Sequence, residues 1–172
     1  NRDKIKNAIR NIPDFPKPGI QFKDITTLLQ DHGAFSESID IFCEEFENSE
    51  IDQIVGIESR GFIFGAPLAL RLGCSFTIAR KPGKLPAETV SAEYKLEYGT
   101  DSVEIHKDAI KEGDKVLIID DLIATGGTAQ AVGELVTKCQ GDITGFAFLI
   151  NLTELKGSNK LKPHSVFSII EY

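Results

Sequence analysis

Val116-Leu117-Ile118-Ile119-Asp120-Asp121-Leu122-Ile123-Ala124-Thr125-Gly126-Gly127-Thr128 brings together residue types that a bland turn does not need in this order. Its four leading aliphatic residues predict a strand buried on both faces, as in a parallel sheet. Two carboxylates follow, where that strand is expected to end. A loop of small residues comes next, and from Thr128 the apolar positions Ala131, Leu135, Val136 and Cys139 fall at helical spacing. Strand, polar loop and helix together describe a ligand site at the carboxyl end of a parallel strand. Backbone N–H groups of a glycine-containing loop that opens a helix are unpaired donors at the positive end of the helix dipole, so a phosphate suits them. Thr125 and Thr128 can add hydroxyl donors. The acids would repel that phosphate and belong opposite something that donates hydrogen bonds: vicinal ribose hydroxyls, or a hydrated divalent cation. A phosphate loop beside an acid pair implies a ribose 5-phosphate group. The alternative is an ordinary strand–turn–helix with a solvated acid pair. A P-loop is excluded, because no Gly-Lys-Ser/Thr follows the glycines.

The 172 residues suit a single domain spanning 1–172, long enough to bury a real core. Hydrophobic content of 41% and charged content of 26% are ordinary for a soluble globular protein. No apolar run approaches the roughly 20 residues that a membrane span needs, and the start of the chain is charged rather than signal-like. No membrane partner is expected, and the cytoplasm is the default compartment. Cys43, Cys74 and Cys139 are scattered and odd in number, and they read as buried thiols rather than a disulfide or metal framework. The chain contains no methionine, which suggests that an initiator and a few more residues precede Asn1. A net charge of −7 argues against a nucleic-acid partner. An acidic chain that takes a phosphorylated ligand needs a local concentration of cations. Arg80, Lys81 and Lys84 supply one.

Upstream, Ile5, Ala8, Ile9 and Ile12 predict an amphipathic helix over residues 1 to 11. Pro13-Asp14-Phe15-Pro16-Lys17-Pro18-Gly19 ends it, since three prolines and a glycine fix an extended or turning path. Ile20-Gln21-Phe22-Lys23-Asp24-Ile25 follows. A phenylalanine on so rigid a loop is a hydrophobic plug or a flat surface for a planar ligand, and the residues alone favour the plug. A helix over 33–47 carries Phe35, Ile39, Ile41, Phe42 and Phe46, and residues 51–57 form the first core strand. That strand ends in Glu58-Ser59-Arg60-Gly61, before a helix from Phe62 to Leu72. Ser59, Arg60 and the adjoining N–H groups could hold a second phosphate, Arg60 by planar bidentate contacts; the plainer reading pairs Arg60 with Glu58. Strand 75–79 runs into the basic loop Arg80-Lys81-Pro82-Gly83-Lys84, which fits a diphosphate or is a solvated charged turn. Residues 87–106 predict a two-stranded excursion, one arm marked by Tyr94, Glu97 and Tyr98 and the other by residues 103–106. A polar excursion beside a site reads as a lid, about 82–107. Strands at 143–150 and 165–170 complete an alternating α/β pattern around a parallel sheet, with 155–157 as a surface segment. His32 and His164 read as solvated loop residues; His106 lies on the lid arm beside Glu104.

The motif at 116–128 resembles the phosphoribosyl pyrophosphate (PRPP) signature of the type I phosphoribosyltransferases. Phe-Pro-Lys-Pro-Gly-Ile followed by Phe-Lys-Asp-Ile (residues 15–25) is similar to the amino-terminal hood of the adenine phosphoribosyltransferases, here about residues 1–32. Glu-Ser-Arg-Gly-Phe (58–62) looks like the pyrophosphate loop of that family, and Ser-Ala-Glu-Tyr with Leu-Glu-Tyr-Gly (91–99) like its catalytic flexible loop. The resemblance implies a type I phosphoribosyltransferase fold, a parallel β-sheet flanked by helices with a small N-terminal hood and a β-ribbon lid. It also implies transfer of the 5-phosphoribosyl group of PRPP to adenine, giving AMP and pyrophosphate in purine salvage.

On that resemblance Ala124, Thr125, Gly126, Gly127 and Thr128 bind the 5-phosphate, and Asp120 and Asp121 the ribose hydroxyls. Ser59, Arg60, Arg80, Lys81 and Lys84 handle pyrophosphate. Gln21, Phe22 and Lys23 line the adenine pocket, with Phe22 stacked on the base and main-chain groups reading its amino edge. Glu104 is the catalytic acid proposed to act near the base. Mg²⁺ is expected, held mainly through PRPP with no direct protein ligand, and a homodimer is implied. Two other readings stay open: the same chemistry on xanthine, hypoxanthine or orotate, against which the hood argues, and a PRPP-sensing regulator of the same fold.

Overall fold

The computed structural model of the chain describes residues 1–96 and 98–172. The first helix, α1 (Arg2–Ala8), is shorter than the apolar spacing of residues 1 to 11 predicts. Ile12 does not continue its face. It sits on β1 (Arg10–Pro13), opposite Phe22 of β2 (Gln21–Asp24) in an antiparallel hairpin. Pro13 has no N–H for a helix, and the hairpin ladder gives the preceding backbone groups partners instead. Asp24 fixes the exit from this hairpin. Its carboxylate accepts from the Thr26 hydroxyl at 2.7 Å, from Arg10 at 2.6 Å and from the Thr26 N–H at 2.9 Å. Those bonds hold its pKa down at about 2. Helix α2 (Thr26–Leu29) follows, then α3 (His32–Phe46), capped by the Asp31 side chain on the Ala34 N–H. His32, expected in a loop, is the first residue of α3.

The chain then alternates. Strand β3 (Gln53–Ile57) leads to α4 (Gly61–Leu72) and β4 (Ser75–Ala79). An antiparallel hairpin of β5 (Thr89–Lys95) and β6 (Thr100–His106) precedes β7 (Lys115–Ile123) and α5 (Gly127–Lys138). Strand β8 (Asp142–Asn151), two 3-10 turns (Thr153–Leu155 and Gly157–Leu161) and β9 (Val166–Glu171) close the chain. Of the residues expected to mark the first hairpin arm, Tyr94 lies on β5 and Tyr98 in the turn, while Glu97 is outside the described residues.

Five strands pair in parallel in the order β4-β3-β7-β8-β9, the α/β fold that the sequence pattern implies. One apolar cluster joins α1 to α4 to one side of this sheet, through Phe42, Phe64, Leu68 and Leu117. A second joins α5 and the β5-β6 hairpin to the other, through Val103, Ile118, Val132 and Leu135. Burial on both faces explains why β7 reads as an unbroken aliphatic run. The strand does not end at the acids, as expected, but continues to Ile123. Strand β8 is long enough to supply ladder partners that far: Phe148 opposite Asp120, Ile150 opposite Leu122 and Asn151 opposite Ile123. Among the described residues no helix is long and apolar enough to cross a membrane.

Candidate active site

The strand order places a switch point between β3 and β7. From β3 the chain moves outward to β4 on one side, and β7 returns on the other. Loops leaving the carboxyl ends of two such strands diverge and leave a crevice between them. Both motifs singled out in the sequence flank that crevice. Gly56 pairs with Ile119, so Glu58-Ser59-Arg60 emerges beside Asp120 and Asp121. The Glu58–Ser59 peptide is cis.

The phosphate loop forms the first part of the site. Residues Ala124 to Thr128 line a cavity of about 130 Å³ together with Asp120, Leu122 and Phe148. Gly126 is the N-cap of α5 with φ +87°, a left-handed conformation that side-chain-bearing residues rarely adopt. That turn directs the first-turn N–H groups of α5 toward the cavity mouth, and none of these has an intrahelical acceptor. Glu58, Ser59, Arg60, Lys81, Asp120 and Asp121 line an adjoining polar cavity of about 320 Å³. The two cavities share Asp120 and Leu122.

The acids behave differently from one another. Asp121 is buried and accepts from Arg60 Nε at 2.7 Å. The Arg60 partner is therefore Asp121, not Glu58, and its pKa is raised chiefly by the Asp121 charge. Asp120 accepts the Asp121 N–H at 2.8 Å. Burial first, and then the neighbouring Asp121 charge, push the Asp120 carboxyl well above its usual range. Glu58 instead accepts from Arg80 Nε and from the Lys81 N–H, both at 3.0 Å. Burial would raise its carboxyl, but these bonds outweigh it and hold the pKa below the ordinary value.

Lys81 reaches across to the hairpin. Its ammonium meets Asp101 and the Tyr94 hydroxyl, which together raise its pKa. Asp101 was not legible as a site residue, because nothing in a hairpin sequence marks which strand residue faces a distant loop. Glu104 lies on β6, and its backbone forms a two-way bridge with Arg80. Its carboxylate accepts the Gly83 N–H at 3.1 Å, so it braces the basic loop. The cluster is brought together as expected for Ser59, Arg60, Arg80 and Lys81. Lys84 closes the same turn through an N–H donated to the Lys81 carbonyl at 3.4 Å.

A third hollow, of about 340 Å³, lies under the N-terminal hairpin, lined by Arg10, Ile12, Phe15, Phe22, Asp24 and Thr26. Phe15 meets Phe22 edge-on, with ring centroids 5.2 Å apart. Only Phe22 of the three hood residues lines the hollow. Alternation along β2 turns the side chains of Gln21 and Lys23 to the opposite face, where both bond Asn11. Lys23 also lies 4.2 Å from the centre of the Tyr172 ring.

One more segment differs from expectation. The stretch at 155–157 is not simply surface: Gly157 is buried, packed against the phosphate loop at Ala124 and Gly126.

A crevice at the switch point of a parallel sheet, with a glycine turn opening a helix on one wall and acids and cations on the other, is the arrangement of the phosphoribosyl-transferring class of protein. The sequence model described as a phosphoribosyl transferase domain matches residues 24–171. An adenine phosphoribosyltransferase of Halothermothrix orenii is 55% identical over 168 residues, 98% of this chain and 99% of that protein. The crystal structure of the Thermoanaerobacter pseudethanolicus adenine phosphoribosyltransferase superposes with a TM-score of 0.97 at 53% identity, covering 100% of both chains. That of the Saccharomyces cerevisiae enzyme, complexed with an imino-altritol bisphosphate and adenine, gives 0.93 at 45% identity, covering 98% and 97%. The chain belongs to the adenine phosphoribosyltransferase family, with the type I phosphoribosyltransferase fold.

Proposed function

We propose that this phosphoribosyltransferase works as a cytoplasmic purine-salvage enzyme, a homodimer, that joins adenine to the phosphoribosyl group of PRPP with release of pyrophosphate. The observation that carries the reading is the adjacency of two cavities that meet at Asp120 and Leu122. One is built for a terminal phosphate and the other for a second anionic group, with a carboxylate at their junction. A 5-phosphorylated ribose with a diphosphate on C1 has this sequence of groups. The N-terminal hollow, with the Phe15 and Phe22 rings in its wall, is then the place for the base.

In the reaction the adenine N9–C1 bond forms, the bond from C1 to pyrophosphate oxygen breaks, and the N9 proton is released. The sugar passes through an oxocarbenium-like state, as in glycoside transfer. The chain contributes position and electrostatics. Residues Ala124 to Thr128 hold the 5-phosphate, and Asp120 and Asp121 accept from the ribose hydroxyls. Ser59, Arg60, Arg80, Lys81 and Lys84 receive the departing pyrophosphate. Phe22 offers its ring to adenine, and the β2 backbone at Gln21 and Lys23 reads the base edge, since their side chains face away. Glu104 orders the basic loop through the Gly83 N–H, and with the β5-β6 hairpin as lid its carboxylate assists removal of the N9 proton. The polar cavity fits magnesium as an ion that keeps its waters and takes its oxygens from the substrate, with the hard carboxylates Asp120 and Asp121 nearby on β7 and no direct protein ligand. When bound, Mg²⁺ neutralises charge on the diphosphate.

The test is base competition. The protein is given PRPP, magnesium and equimolar adenine, hypoxanthine, guanine and xanthine, and the nucleotide is identified by mass. AMP alone is the expected product. IMP, GMP or XMP would keep the chemistry and overturn the base assignment. No product with PRPP bound would favour a PRPP-sensing regulator.

A further inference from the structure

We propose that Gly157 is a positioning residue for the 5-phosphate loop, resting on the assignment of that loop above. Gly157 lies in the segment between β8 and β9, far in sequence from the loop, and it is buried. Its φ is outside the left-handed region, so the backbone does not itself require glycine. What requires it is space. A Cβ on Gly157 would lie 3.0 Å from the Gly126 nitrogen and closer still to the Ala124 carbonyl oxygen. From the other side, a Cβ on Gly126 would meet the carbonyl of Gly157 and stand 3.2 Å from its Cα. Two glycine backbones are therefore in direct contact, one of them carrying the donors meant for phosphate.

The segment around Gly157 is anchored independently of the loop. Leu152 donates to the Ile123 carbonyl at 3.0 Å, where β7 leaves the sheet. Leu161 is buried in the cluster under α5, and Gln130 Nε2 of α5 donates to the Lys160 carbonyl at 3.3 Å. Lys156 adopts φ +53°, a left-handed turn that aims the following peptide at the loop. The loop is thus backed by a wall fixed at the end of β7, in the apolar core and on α5. A phosphate loop made of small residues has few side-chain contacts to hold its shape, and this wall supplies the missing constraint. The glycine contact sets how far back the N–H groups can retreat, and therefore the radius of the anion cradle.

The prediction is selective. Gly157→Ala adds one methyl group with no backbone penalty, and the loop must move by a fraction of an ångström or more. Misplacement on that scale should weaken ribose 5-phosphate binding about ten- to a hundredfold. Pyrophosphate, bound on the opposite wall, should keep its affinity within about twofold, as sites without shared contacts do. Both are measured by calorimetry on the folded protein, with thermal melting as a control. Gln130→Ala loosens the wall from behind without crowding the loop, and should weaken ribose 5-phosphate severalfold in the same selective way. Equal ribose 5-phosphate affinity in wild type and Gly157→Ala, or parallel loss of both ligands, would overturn the proposal. Failure of the wild type itself to bind ribose 5-phosphate would instead reject the loop assignment on which it rests.

Discussion

Replacing Phe22 with alanine tests the base pocket without touching the phosphate sites. The ring lines the hollow under the N-terminal hairpin and is steadied edge-on by Phe15 at 5.2 Å. Stacking of an aromatic side chain on a base is worth about 1–3 kcal/mol by alanine substitution. With 1.4 kcal/mol per tenfold, KM for adenine should rise about 5- to 150-fold. Phe22 is only half-buried, so the fold should lose little, on the order of a 2–4 °C fall in Tm for each kcal/mol lost. KM for PRPP should stay within about twofold, because the phosphate and ribose groups share no contact with this ring. Phe15→Ala removes the edge-on support, worth about 0.5–1.5 kcal/mol, and should give a smaller rise in the same constant. Initial rates are measured with adenine varied at saturating PRPP, then with PRPP varied at saturating adenine. An adenine KM unchanged in Phe22→Ala, or a parallel rise in both constants, would refute the stacking assignment and leave Phe22 as the plug that its loop composition favours.

The acid pair and the hairpin give two further tests. Burial and the Asp121 charge raise the Asp120 pKa, so its charged form is disfavoured in the fold; the penalty is absent below the usual carboxylate pKa and grows as pH rises through it toward the raised value. Asp120→Asn should therefore melt higher than wild type near pH 7, lose that advantage near pH 3, and bind PRPP more weakly; a lower Tm at pH 7 would count against the reading. Asp101→Asn removes a partner from Lys81, and since solvent screens exposed ion pairs strongly, pyrophosphate affinity should rise only modestly, up to about fivefold by calorimetry. A fall in that affinity would mean that Asp101 positions Lys81 rather than competing for it.

The parts of the fold legible in the sequence are those where pattern and packing agree. Ile54, Val55 and the run 116–119 are buried on both faces and announce strands, and the two polar motifs that follow these runs do lie side by side. The N-terminus was misread because Ile12 falls on the helical period by coincidence, while its partner Phe22 is a non-local pairing that spacing cannot reveal. The end of β7 was misplaced for a similar reason: its ladder past the acids is set by the length of β8. Residue types in the site were legible, and their partners were not. Arg60 with Asp121, Arg80 with Glu58 and Lys81 with Asp101 each join residues far apart in sequence, across whole helices or strands. The stretch holding Gly157 reads as a surface segment, because a glycine required only for its neighbour's sake looks like any turn glycine.

Those three pairs also resolve how a chain with 26 acids and 19 lysines and arginines can hold so anionic a substrate. Of the four cations assigned to pyrophosphate, Arg60, Arg80 and Lys81 are already paired, and the pairing differs by residue type. Asp121 takes Arg60 through Nε, and Glu58 takes Arg80 through Nε. A guanidinium held by its inner nitrogen still presents its outer fork, and among the described residues neither arginine has a hydrogen bond recorded from Nη. The acid then orients the fork rather than competing for it, and the side-chain entropy of ordering an arginine is lost on folding instead of on binding. Lysine offers three equivalent donors rather than a planar fork. Two donors of the Lys81 ammonium are engaged by Asp101 and the Tyr94 hydroxyl, which leaves one for an anion. On the assignment proposed above, the two arginines act as oriented receptors, while Lys81 holds pyrophosphate and the hairpin together. Since both of its present partners stand on the β5-β6 hairpin, Lys81 is the residue through which pyrophosphate and the position of the hairpin are linked.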